Sequence, residues 1–219
     1  MLRSLLAFGL VLGLAGSVSA QEGGEPWGEE AVDLRRPNHE EAQDAMRLSA
    51  YFPLHGSGEM RVDYEGPGNP RADLGVGVGL GVRFELPVWK YLSIGALWEL
   101  LSFEVGGFRD TLGMDFDVMI KGRYVFGITT RLDVEAYGFV PLGLSWMRTG
   151  DGPASIVNSG VGFNTGFQGG ATAIIDGKFG IFTDLGVRVR RVYSDTATGT
   201  DVVLRTAQLV WSLGGVLLF

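Results

Sequence analysis

The chain has 219 residues, 35 glycines and no cysteine, and its 18 Lys+Arg against 25 Asp+Glu give a net charge of −7. An acidic chain without a basic cluster excludes a nucleic-acid partner. Two histidines and no cysteine leave no zinc-type ligand set, and no metal or cofactor motif is present.

Residues 1–20 have the layout of an export signal. A short basic start, Met1-Leu2-Arg3-Ser4, leads into an apolar run, Leu5 to Gly16, too short for a membrane helix, and Val18-Ser19-Ala20 is a cleavage-type sequence. No cysteine follows, so a lipoprotein anchor is excluded. Residues 21–45 are acidic (Glu22, Glu25, Glu29, Glu30, Asp33, Glu40, Glu41 and Asp44 against Arg35 and Arg36) and lack a sustained apolar period. We read them as a solvated N-terminal tail with room for one short helical turn.

From residue 46 the pattern changes to strict alternation. Eight segments fit it, near 46–54, 72–86, 91–105, 113–126, 131–147, 162–175, 179–193 and 203–219. In the second, Leu74, Val76, Val78, Leu80, Val82, Phe84 and Leu86 share one face, and Asp73, Gly75, Gly77, Gly79, Gly81, Arg83 and Glu85 share the other. The fourth sets Met114, Phe116, Val118, Ile120, Tyr124 and Phe126 against Asp115, Asp117, Lys121 and Arg123. The seventh sets Ile181, Leu185, Val187 and Val189 against Asp184, Arg188 and Arg190. A soluble barrel, such as a lipocalin-like carrier, would put its ionic face toward water. This arrangement suits strands with lipid outside and a tight polar lumen inside. The fold class expected is therefore all-β: a closed, antiparallel, up-and-down transmembrane barrel of eight strands over residues 46–219.

The connections alternate in length. Those at 87–90, 127–130 and 176–178 are short, Asp176-Gly177 being a tight-turn signal, and 55–71, 106–112, 148–161 and 194–202 are longer. Short turns in the periplasm put both termini there and four loops outside. Aromatic residues gather at two levels: Phe84, Trp89, Tyr91, Tyr124, Phe126, Phe179 and Phe219 near the turns, and Phe103, Phe116, Trp146, Phe163 and Tyr193 near the loops. Pro53 and Pro141 fall inside strands, where each predicts a bulge or an early end of pairing. The third segment loses phase between Leu100 and Phe103, which predicts another bulge. The first strand has room to extend into 56–64.

The inward set carries Arg47, Arg83, Lys121, Arg123, Arg188 and Arg190 against Asp73, Glu85, Glu99, Asp115, Asp117, Asp133, Glu135 and Asp184. An eight-stranded barrel has room inside for side chains only. Such charges form either a gated ion path or a salt-bridge core that closes the lumen, and the interleaved signs favour the core. The turn at 127–130 puts Arg123 opposite Asp133 and Lys121 opposite Glu135, or, one residue further on, Arg123 opposite Glu135. The inward glycines make room for long arginines or leave a wet cavity. The Gly75–Gly81 run lacks the strand–turn–helix setting of a phosphate loop.

The alternation, the loop rhythm and the final stretch Trp211-Ser-Leu213-Gly-Gly-Val-Leu217-Leu-Phe219 resemble the small eight-stranded outer-membrane barrels of the OmpA/OmpX-like group. The resemblance implies that Trp211, Leu213, Leu217 and Phe219 form the signal read by the barrel-assembly machinery, with Gly215 departing from it at one position. It implies a monomer in contact with outer-membrane lipid and lipopolysaccharide. The function expected is a non-enzymatic scaffold that displays surface loops over a plugged lumen. Its rivals are a narrow conduit for small or hydrophobic solutes and a lipid-modifying enzyme, for which His55 with Ser57 is the candidate pair; the second histidine, His39, lies in the tail. Asp110, Asp151, Asp195 and Asp201 on the loops are solvated acids or cation bridges to lipopolysaccharide.

Overall fold

A computed structural model describes residues 42–64, 71–105, 108–148, 159–196 and 199–219. Ten strands follow one another: β1 (Arg47–His55), β2 (Gly58–Tyr64), β3 (Arg71–Leu74), β4 (Gly77–Trp89), β5 (Leu92–Val105), β6 (Phe108–Gly127), β7 (Leu132–Arg148), β8 (Gly160–Ile175), β9 (Phe179–Asp195) and β10 (Asp201–Leu218). Eight of them, β1 and β4 to β10, form a closed antiparallel ring, sealed where β1 pairs with β10. Backbone bonds between Met46 and Phe219 in both directions extend that seam to the last residue. Closure satisfies the strand edges within the chain, as a wall facing lipid requires. The predicted export signal and most of the acidic tail lie outside the described residues.

The two remaining strands lengthen the first two. Against β3–β4, the β1–β2 run keeps one register, with His55 facing Gly77 and Gly58 facing Leu74. Against β10 it slips: His55 faces Val210 but Glu59 faces Ala207, so Gly56–Ser57 holds an extra residue. A matching slip separates β3 from β4, where Val78 faces Ser102 but Leu74 faces Val105. Each bulge exchanges the inward and outward faces. Leu74, expected to face lipid, is therefore buried inside, and Asp73, expected inside, is exposed. The first strand does extend into 58–64, so the long connection expected at 55–71 contracts to 65–70.

The third predicted segment needs no bulge at Leu100–Phe103. Along β5 the faces alternate without interruption, and Leu101, Phe103 and Val105 all point inward. The apparent loss of phase arises because the lumen itself is apolar at that level. Phe103 accordingly leaves the outer aromatic level to which it was assigned. The register slip lies further on, between Phe103 and Val105 opposite β6.

Neither proline bends its strand. Pro53 stays in register with Ser212, and only the ladder to β4 is interrupted at Phe52–Pro53. Pro141 faces Met119, and the β7–β8 ladder resumes at Leu142 in its original register. The missing N–H removes local bonds on one side, and the ring holds the strand in place. The fourth predicted strand starts five residues early, at Phe108. The Asp176-Gly177 turn forms as expected, with φ of 51° and 66° and Lys178 N–H donating to the Ile175 carbonyl at 3.1 Å. That is the left-handed pair of a type I′ hairpin.

Outside, Trp89, Tyr91, Tyr124 and Phe126 form a chain of ring contacts beside the short turns. Centroids are 5.6 Å apart for Trp89–Tyr91 and 6.0 Å for the stacked Tyr91–Tyr124 pair. Val78, Leu80, Phe116, Val118, Ile120, Leu142, Leu144, Ile181, Leu209 and Leu213 are among the apolar side chains exposed on the wall.

Candidate functional site

The filled interior is where this barrel concentrates its chemistry. We call the end with the short connections the turn end and the other the loop end. Of the ionic residues singled out from alternation on the inward face, Arg47, Arg83, Glu85, Glu99, Asp115, Asp117, Lys121, Arg123, Asp133, Glu135, Asp184, Arg188 and Arg190 are buried and Asp73 is not; His55 joins the buried set. They stack in layers along the lumen.

At the turn end Glu135 is the hub. Arg47 donates to its Oε2, Lys121 Nζ lies 2.8 Å from its Oε1, and Arg123 stands 3.8 Å away. Lys121 also donates to Glu85 at 2.8 Å. The expected direct oppositions do not occur. Arg123 faces Tyr137, Lys121 faces Phe139, Glu135 faces Val125 and Asp133 faces Gly127. The turn lies over 128–131, where the Thr129 hydroxyl accepts from the Arg131 and Leu132 N–H groups. This placement shifts the register by two or more residues on each strand. Lys121 and Arg123 reach Glu135 diagonally, which their long side chains allow.

The residues just before β1 enter the same layer. Ala42–Asp44 form a helical turn. The Ala42 carbonyl accepts from Arg47 at 3.0 Å and the Gln43 carbonyl from Arg123. Ala42 has no exposed surface and packs in a cluster with Tyr51, Leu97, Met119, Tyr137, Phe139, Ile174, Phe182, Val216 and Leu218. The tail was expected to be solvated throughout, and its last residues are not. Alternation says nothing about a segment without a strand period, so this contact was not legible.

Next comes Arg83. Its guanidinium lies 4.4 Å from the Phe139 ring centroid, 5.1 Å from Phe182 and 5.2 Å from Tyr51, and donates to Asp184 Oδ2 at 3.0 Å. The Tyr137 hydroxyl donates to the same oxygen at 3.2 Å. A delocalised cation among ring faces with one carboxylate is a well-compensated way to bury it. The Tyr51 ring occupies the space that the inward glycines leave. A Cβ on Gly81 would lie 2.3 Å from Tyr51 Cζ, and one on Gly214 2.4 Å from Tyr51 Cβ. At Gly81 the expected room for arginines is filled by an aromatic ring. The cavity among Arg47, Arg83, Glu85, Lys121 and Tyr137 measures about 10 Å³, room for about one water.

Mid-lumen, Arg188 bridges Asp117, Glu99 (3.2 Å) and Asn164 (2.7 Å), and Tyr51 donates to Glu99 at 2.9 Å. Arg190 binds Asp115 through two nitrogens, at 3.0 and 2.7 Å, and Gln208 at 3.1 Å; Ser145 also donates to Asp115. His55 stands beside Arg190, its Nε2 3.9 Å from Glu99. It is buried, while Ser57 in the bulge is exposed, so the structure does not bring this pair together.

Beyond Arg190 the lumen changes character. Met60, Leu74, Leu101, Phe103, Val105, Met147, Val192, Val202 and Leu204 form one buried cluster, with Val62 and Ala72 against it. Sequence reasoning missed this layer: it placed Leu74 and Phe103 on the outer wall and looked for the lumen among ionic and small residues. The signal was present in the run Leu100-Leu101 and in Val202 to Leu204, where consecutive apolar residues must occupy both faces.

Trp211, Leu213, Leu217 and Phe219 all face outward from β10 and are exposed. Asp195 and Asp201 oppose one another at the loop end. Asp151 and the side chain of Asp110 lie outside the described residues. Among the described residues no group of three or more His, Cys, Asp or Glu side chains is arranged to hold a metal ion.

No family model matches the chain, and no curated protein matches it. Among solved structures it is similar to the outer membrane protein OprG from Pseudomonas aeruginosa, at 9% identity, over 80% of this chain and 96% of that one, with a TM-score of 0.52. It is also similar to the outer membrane protein AlkL, solved in DMPC lipid bilayers, at 16% identity, over 92% of this chain and 96% of that one, with a TM-score of 0.53. At these identities the likeness speaks to fold. The closed antiparallel barrel of eight strands is the fold that the chain shares with these two outer membrane proteins.

Proposed function

We propose that the protein is a monomeric outer-membrane barrel, exported by a cleaved signal. Its short turns and termini are periplasmic, its loops are at the surface, and it acts as a non-catalytic scaffold over a sealed lumen. The observation that carries this reading is the stack of ionic layers. Buried cations and carboxylates meet across the barrel with about one water's room between the first two layers, and Ala42–Asp44 close the turn end. Charges so compensated hold their geometry, and removal of one partner strands the other. Trp211, Leu213, Leu217 and Phe219 serve the barrel-assembly machinery in this account. The test is a liposome-swelling assay with small sugars. The scaffold predicts the swelling rate of empty liposomes, and rates like those of a general porin would refute it.

A second reading rests on one observation, the apolar loop-end lumen around Leu101, Phe103, Met147 and Leu204. That apolar layer suits intake of small hydrophobic solutes from the surface, which the ionic layers would turn sideways into lipid. Protein-dependent transfer of an apolar fluorophore into liposomes that remain ion-tight would favour it over the scaffold.

A further inference from the structure

Four arginines form one row on the outer wall. In register, Arg71 on β3 faces Arg61 on β2, Arg61 faces Arg205 on β10, and Arg205 faces Arg191 on β9. All four lie on the outward face near the loop end and are exposed. Like charges directly opposed on neighbouring strands repel one another, so such a row costs stability unless anions sit beside it.

The described residues supply only part of that compensation. Arg71 pairs with Glu59 at 3.2 Å and Arg205 with Asp63 at 2.7 Å. Glu59 and Asp63 flank Arg61 on its own strand, and both are taken by its neighbours. Among the described residues neither Arg61 nor Arg191 makes an ion pair, and the Arg191 guanidinium lies 5.3 Å from the Tyr193 ring. Glu59 and Asp73 oppose one another beside Arg71. The uncompensated charge therefore lies away from them, on Arg61 and Arg191, which flank the Asp63-paired Arg205. Arg61 and Arg191 are separated by β10, a span of about 10 Å.

The position of the row selects the ligand. Along β9 the outward residues Ile181, Leu185, Val187 and Val189 are exposed and apolar, and Arg191 is the next outward residue. Phe163, exposed on β8, faces Arg191, and Leu209 lies four residues from Arg205 toward the turn end. The guanidiniums thus stand at the rim of the lipid-facing band, where headgroups lie. Arginine forks suit phosphate, which accepts two parallel N–H bonds from each. We propose that Arg61, Arg205 and Arg191 bind the phosphate groups of an outer-leaflet glycolipid, lipopolysaccharide, with its acyl chains against Val189, Leu209 and Phe163. This inference rests on the reading above that the loop end faces the outer leaflet.

The test uses the full mature barrel in phosphatidylcholine nanodiscs doped with lipopolysaccharide or with its dephosphorylated form. The wild type should bind the phosphorylated form selectively, and R61Q/R191Q should lose about tenfold or more of that affinity, the loss expected when a charge-assisted contact goes. The control is R131Q, which removes an exposed arginine from the turn end and should bind as the wild type does. Equal binding by R61Q/R191Q and wild type, equal binding of both glycolipid forms, or displacement by free inorganic phosphate at equal phosphate concentration would overturn the proposal. Outer-membrane fractionation and the heat-dependent gel shift of each variant report the barrel and its location separately. Failure there would count against the membrane reading, not against the site.

Discussion

Glu135 faces three cations, Arg47, Lys121 and Arg123, with no surface exposed to solvent. Glu135→Ala leaves Arg47 without its carboxylate and is expected to destabilise the barrel by about 3–5 kcal/mol, the cost of stranding a buried charge. Urea titration in lipid vesicles measures it. Val118 lies on the other face of the neighbouring strand, exposed on the wall. Val118→Arg should cost about 2–4 kcal/mol near the bilayer midplane, and neutrality in the same titration would mean that the face is not in lipid. These assignments were legible because charged residues from Asp115 to Arg123 all fall on one face, shared only with Met119, and Phe116, Val118 and Ile120 on the other. Phe103 was misassigned for the opposite reason, and Leu74 because the bulge between β3 and β4 exchanges the two faces. Where the lumen is apolar, alternation no longer distinguishes its two sides, and only a paired strand shows which side faces in.

At the level of strands and turns, legibility followed the strength of the local code. Asp176-Gly177 specifies its own hairpin through two left-handed residues, and Gly177→Val is expected to cost about 1–2 kcal/mol by forcing a β-branched residue to positive φ. Comparison of its unfolding midpoint with that of the wild type measures this. The β6–β7 turn carries no such dipeptide. Its position is set by the Thr129 side chain capping Arg131 and Leu132, a device invisible to charge matching, and so both expected registers were wrong, although Glu135, one of the two acidic partners expected, is the one that Lys121 and Arg123 reach. The prolines mislead in a similar way. A missing N–H was taken to mean a bulge or an early end of pairing, yet pairing is interrupted on one side only and the ladder on the other side of each strand holds the register.

For the whole molecule, the seam between β1 and β10 decides whether there is a barrel at all. Phe219 contributes both backbone bonds that join it to Met46, while its ring is exposed on the wall. Deletion of Phe219 should lower the folded fraction recovered from cells much more than it shifts the urea midpoint of the protein already folded; equal recovery would remove its role in assembly. Closure and strand number were legible from sequence, because eight alternating runs leave no other arrangement with satisfied edges. The filling of the lumen was legible only in its ionic half. The central claim, that this filling seals the barrel, is tested most directly by the conductance of the purified protein in a planar bilayer. The account predicts no steps for the wild type and an intermittent leak for Glu135→Ala. A steady open conductance in the wild type would contradict it.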